Sequence, residues 1–65
     1  MNYEITIISV EDSKEPNTMS VLKTKMGELM QMASIELERA KILRPHIGET
    51  MSLDEFFDLM NEPIL

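Results

Sequence analysis

His46 is the single imidazole in the chain and the first residue to question about catalysis. It follows Pro45 in the segment PHIGETM, with no cysteine in the chain and no serine–acid constellation around it. A nucleophile needs a base and an orienting group within hydrogen-bond reach, and the spacing offers neither. A solvated loop histidine is the simpler reading. The carboxylates come next. Asp54 and Asp58 lie four residues apart and so share a helix face, with Glu55 and Glu62 close by. Oxygen ligands of this kind hold calcium or magnesium weakly, but a dedicated site adds loop geometry and backbone carbonyls. An acid–base pair would need a pocket that drives the two pKa values apart. No G-x-G-x-x-G, Walker or C-x-x-C spacing occurs. The expectation is a protein that is not an enzyme and that holds no metal and no cofactor.

What the same residues can do is bind. The segment DEFFDLM, residues 54 to 60, combines acids with large apolar side chains, as helix-in-groove ligands do. Phe56, Leu59 and Met60 make one helix face, with Leu53 three residues earlier. Phe57 sits about 100° round from Phe56, on the flank that carries Asp54 and Asp58 and leads to Glu62. A small core absorbs the first face and leaves the flank. The expected protein-binding residues are therefore Asp54, Phe57, Asp58 and Glu62. Attachment to a membrane surface is disfavoured, because helices that seek such surfaces carry lysine and arginine on their polar face.

These side chains need elements to hold them. Ser52 and Glu55 form a capping box, S-x-x-E, and Pro63 sets the other boundary, which together predict a short acidic helix over 52–61. Upstream, Tyr3 to Val10 is dense in β-branched residues and reads as a strand over 3–10. Tyr3, Ile5, Ile7 and Ser9 would share one face, and Glu4, Thr6, Ile8 and Val10 the other. EDSKEPN, residues 11–17, reads as a polar linker. From Met19 the apolar positions Leu22, Met26, Leu29, Ala33, Leu37, Ala40 and Leu43 recur at threes and fours, which predicts one long helix over 18–44, ended by Pro45. Gly27 falls inside it, at a cost of about 1 kcal/mol relative to alanine. A turn over 45–51 completes the plan.

The expected fold is an α-dominated α+β unit of β-α-α order, forming a single small domain over 1–65. Its strand has no second strand to pair with, so its backbone groups must find partners outside the protomer. A 65-residue chain without cysteine has neither disulfides nor a thiolate metal site to stabilise it, which again points to association. A homodimer is expected, its interface built from Ile5, Ile7, Ile8, Met26, Leu29, Met30, Ala33 and Leu37. The strands of two copies would form a ribbon beneath packed helices.

Charge bounds the role. The formal net charge is −6, against the basic footprint of a nucleic-acid binder. A mildly basic middle is flanked by acidic ends, and the segment from Pro45 onward carries no lysine or arginine at all. Charge complementarity predicts that the ends fold back near the middle. No apolar run approaches the roughly 18 residues of a membrane span. The opening MNYEITIISV has an acid and no base before its apolar stretch, unlike a signal peptide, and the chain reads as a complete small frame. The expected setting is cytoplasmic. The expected function is that of a small acidic protein-binding module, a regulator or inhibitor that docks on a larger protein and blocks or recruits it. Its size and charge resemble those of small regulatory proteins of bacteria and bacteriophages. Two alternatives stand beside it: an acidic mimic that occupies the nucleic-acid surface of a host enzyme, and a homo-oligomeric structural protein with no outside partner.

Overall fold

The computed structural model describes residues 3–14 and 18–64. Four strands form one antiparallel sheet: β1 (Glu4–Asp12), β2 (Met19–Met26), β3 (Leu29–Glu36) and β4 (Thr50–Ser52), in the spatial order β3-β2-β1-β4. Two helices, α1 (Leu37–Leu43) and α2 (Leu53–Asn61), complete the fold, with a 3-10 turn over Arg44–His46 between α1 and β4. Among the described residues strand makes up 47% and helix 32%, so the expectation of a helix-dominated unit with one N-terminal strand is overturned, and the fold is not a helical one. No helix among the described residues is long and apolar enough to cross a membrane.

The largest correction concerns residues 18–44. In place of one long helix, the chain makes the β2–β3 hairpin and then the seven-residue α1. The cause is local. Ser20, Leu22 and Thr24 are buried while Val21, Lys23 and Lys25 are not, a period of two that suits a strand with one covered face. The pairing runs without interruption from Met19↔Glu36 to Met26↔Leu29, leaving Gly27 and Glu28 as a two-residue turn. Gly27 has φ +62, and among the described residues no non-glycine residue has positive φ. This is the sign pattern of a type II′ turn, whose twist matches the strands and which needs glycine first. Gly27 thus marks the hairpin and is not a glycine tolerated inside a helix.

The first strand is not alone. β1 pairs with β2 over Thr6 to Asp12 and with β4 over Glu4 to Thr6. Two further bonds tie Ile7 to the chain before β4: Gly48 N–H donates to the Ile7 carbonyl (2.7 Å), and Ile7 N–H to the Glu49 carbonyl (3.1 Å). The first strand therefore needs no intermolecular ribbon, because β1 lies inside the sheet with a neighbour on each side. A bulge between Ile7 and Ser9 also resets its alternation. Val10 joins Ile5 and Ile7 on the buried face, whereas Ile8 is 36% exposed on the other.

The core gathers Ile5, Ile7 and Val10 of β1, Leu22 of β2, Ile35 of β3, Ala40 and Leu43 of α1, Met51 of β4 and Phe56 of α2. Both helices thus cover the same face of the sheet. The opposite face, with Lys23, Lys25, Met30, Met32 and Ser34 along β2 and β3, meets solvent among the described residues.

One polar cluster fastens the start of the hairpin to the end of α1. Ser20, fully buried, donates to Asp12 Oδ1 at 2.7 Å, and the Arg44 guanidinium donates to the same oxygen. The Ser20 hydrogen bond, then the hydrogen bond and charge of Arg44, hold the Asp12 carboxyl below its ordinary value of 3.8 despite opposing desolvation. A depressed folded pKa stabilises the fold above the unfolded value and ceases to do so as pH falls through the folded one. Asp12→Asn is therefore expected to lower the melting temperature at neutral pH. The difference from the parent chain should shrink as pH falls through the depressed Asp12 value and the carboxyl takes up its proton, as thermal melts across pH will show.

Candidate protein-binding surface

The local sequence makes α2 a defined helix. Ser52 stands at the N-cap in extended conformation, and its Oγ accepts from Glu55 N–H at 3.2 Å, half of the reciprocal pattern that S-x-x-E predicts. Asp54 and Glu55 place negative charge at the positive end of the helix dipole. The C-terminal turn has no basic residue of its own. Arg39, reaching across from α1, donates through Nη1 to the Leu59 carbonyl at 2.8 Å, and Asn61 Nδ2 donates to the Phe57 carbonyl at 2.8 Å. Arg39 of α1 therefore serves the end of α2.

The inner side of α2 belongs to the core. Phe56 is buried, and Leu53, Leu59 and Met60 pack against the cluster around it. The rest of the helix faces out. Phe57 is 52% exposed although its ring centroid lies 6.1 Å from that of Phe56. Asp54, Asp58 and Glu62 are exposed as well. At i, i+3 and i+4, Asp54, Phe57 and Asp58 follow one flank of the helix, and Glu62 stands at its C-cap. No lysine or arginine lies on the segment from Pro45 to Glu62, so that flank is acidic around a single aromatic ring.

Beside it runs an open groove of about 610 Å³ between α2 and the turn before β4, lined by His46, Glu49, Glu55, Asp58, Leu59 and Pro63 among others. His46 Nδ1 lies 3.0 Å from Glu49 Oε1. The groove brings the imidazole and the acids of α2 to one place, which the sequence separation between them hid. Among the described residues, no three His, Asp or Glu side chains converge as a metal ion would need.

The residues expected at an oligomer interface divide into separate regions. Ile5 and Ile7 lie in the protomer's own core, and Leu37 and Met26 are half-buried. Ile8 is on the open face of the sheet. Leu29, Met30 and Ala33 are exposed along β3, where Leu29 and Ala33 point to the helical side and Met30 to the other. They do not form a helix stripe. No family model matches the chain, and neither the curated proteins nor the solved structures give a significant match.

The two adjacent phenylalanines separate core from surface. Phe56→Ala is expected to cost about 3 kcal/mol or more, as for a buried aromatic. Phe57→Ala should stay within about 0.5 kcal/mol of the parent chain, as an exposed position does. Chemical denaturation of the two variants measures both.

Proposed function

We propose that the chain is a non-enzymatic protein-binding module, a regulator or inhibitor that docks on a larger protein through the exposed flank of α2. The observation that carries this reading is Phe57: a large aromatic side chain held half in solvent on a capped helix whose inner side already completes the core. Aromatic side chains of this sort anchor interfaces by entering an apolar pocket. Asp54, Asp58 and Glu62 around the ring select a partner whose pocket is rimmed by lysine or arginine, and they speed encounter by charge attraction. The helix is preformed, so docking does not have to order it first, which lowers the entropic cost of binding.

The test is site-specific crosslinking. A photoreactive residue at position 57 should trap one defined partner in the source cell. With that partner purified, Phe57→Ala should weaken binding by about 30-fold or more, the loss expected of an interface anchor. Asp54→Asn with Asp58→Asn should slow association and flatten its dependence on salt. Unchanged affinity in all of these variants would remove α2 as the docking surface. Competition by DNA or RNA for the same partner would favour the acidic-mimic reading instead.

A further inference from the structure

The long edge of the sheet is built as β-strand edges in monomeric proteins are not. β3 runs for eight residues in unbroken register with β2, without a bulge or a proline. From Leu29 to Ile35 it carries no charge. Lysines, prolines, bulges and short length are the devices that keep a free edge from pairing, and β3 has none of them before Glu36. With β2 on one side only, every second residue of β3 turns its N–H and C=O outward. Leu29, Met30 and Met32 are 55%, 46% and 68% exposed. The helical layer stops short of this strand: a shallow groove of about 360 Å³ opens between Phe56 and Met60 of α2 and the strand residues Gln31 and Ala33.

We propose that β3 is a homodimerisation strand: two copies pair antiparallel along Leu29–Glu36 about a two-fold axis through Ala33, joining two four-stranded sheets into one of eight. What fits an edge of this kind is another strand, because only a strand satisfies a row of outward backbone groups. Symmetry and charge then choose the strand and the register. A two-fold axis between antiparallel strands must pass through a residue that faces its own copy. An axis at Met32 sets Glu36 of one copy opposite Glu28 of the other, which repels. An axis at Ala33 sets Glu36 opposite Met30. Met30 pairs with Lys25 on β2, so Glu36 and Lys25 then share one row on the open face of the joined sheet, twice per dimer. Neither Lys25 nor Glu36 makes an ion pair within its own protomer among the described residues. The same register brings Leu29 beside Leu37 of the second copy on the helical side, and Met32 beside Ser34 on the other. The small side chain of Ala33 lets the strands approach at the axis. The pairing uses each edge once, so it closes at two copies.

Sedimentation velocity of the full chain over a dilution series tests this. The parent chain should show twice the monomer mass of 7.5 kDa and dissociate on dilution. Lys25→Glu and Glu36→Lys should each raise the dimer dissociation constant by roughly fivefold or more, and the two together should restore it. Met32→Lys should weaken the dimer by about tenfold or more, since an edge lysine opposes pairing. Circular dichroism melts of each variant verify that the protomer is folded. Phe57→Ala should leave the dimer unchanged, which separates this result from the reading of α2. A folded chain that stays monomeric at high concentration would overturn the proposal, and the edge would then belong to a different protein. Assemblies larger than two, or a dimer indifferent to the charge swap and to Met32→Lys, would overturn it as well.

Discussion

Everything in this protein turns on one sheet that has too little helix to cover it. β1 sits inside the sheet, bonded to β2 on one side and to β4 on the other, and Ile7 is wholly buried at its centre. Helices of seven and nine residues then have to cover the apolar face of four strands. They reach β1, β2 and β4 through Leu43, Ala40 and Phe56, and they meet β3 at Ile35. What remains of β3 is left bare on both faces. A chain of 65 residues buries only about 60% of the surface it exposes when unfolded, so an uncovered strand is a large share of what such a domain has to work with.

The two surfaces that stand out are consequences of that arrangement. Because α2 completes the core with Phe56 alone among its buried residues, Phe57 has no place inside. Because the helices stop short of the hairpin turn, Leu29 has none either, and Met30 and Met32 lie on the face of the sheet opposite the helices. One surface is a helix flank, acidic and centred on a ring; the other is a strand edge, uncharged and methionine-rich. Their chemistries differ enough for both to be used at once. A dimer joined through β3 would present two acidic α2 flanks to its partners, and linked sites gain avidity when a partner offers two matching pockets. Charge ties the protomer together between them: Asp12 near the end of β1 meets Arg44 after α1, and Arg39 of α1 holds the end of α2.

Parts of this were legible in the residues. The β-branched run of Tyr3 to Val10 marked β1, Pro45 limited the helix before it, and Ser52, Glu55 and Pro63 bounded α2. The division between Phe56 and Phe57 came from helical geometry alone. The hairpin was harder because two periodicities overlap in it. Leu22, Met26, Leu29 and Ala33 fall at threes and fours, as on a helix, while Ser20, Leu22, Thr24 and Met26 alternate, as on a strand. Leucine, methionine and alanine favour helix, and their number from Met26 to Ala33 conceals the alternation. The discriminating signal was Gly27 beside Glu28, centred between two runs of equal length, a placement that costs a helix and suits a tight turn. Read as a helix, residues 19–36 leave β1 with no strand to pair with in the chain, which is what the expected ribbon of two first strands rests on. The bulge at Ile7–Ser9 had no sequence signal, since isoleucine on both sides of β1 reads equally well as burial on two faces.

That residues 19–36 form a β-hairpin whose first strand pairs with β1 is decided by nuclear Overhauser contacts in the ¹⁵N,¹³C-labelled chain. Cross-strand backbone contacts should link the Leu22–Ala33 and Val10–Leu22 pairs, together with slowly exchanging amides on β1 and β2. A continuous ladder of helical i, i+3 contacts from Met19 through Leu43, with no contact between residues 22 and 33, would contradict the hairpin and everything built on it.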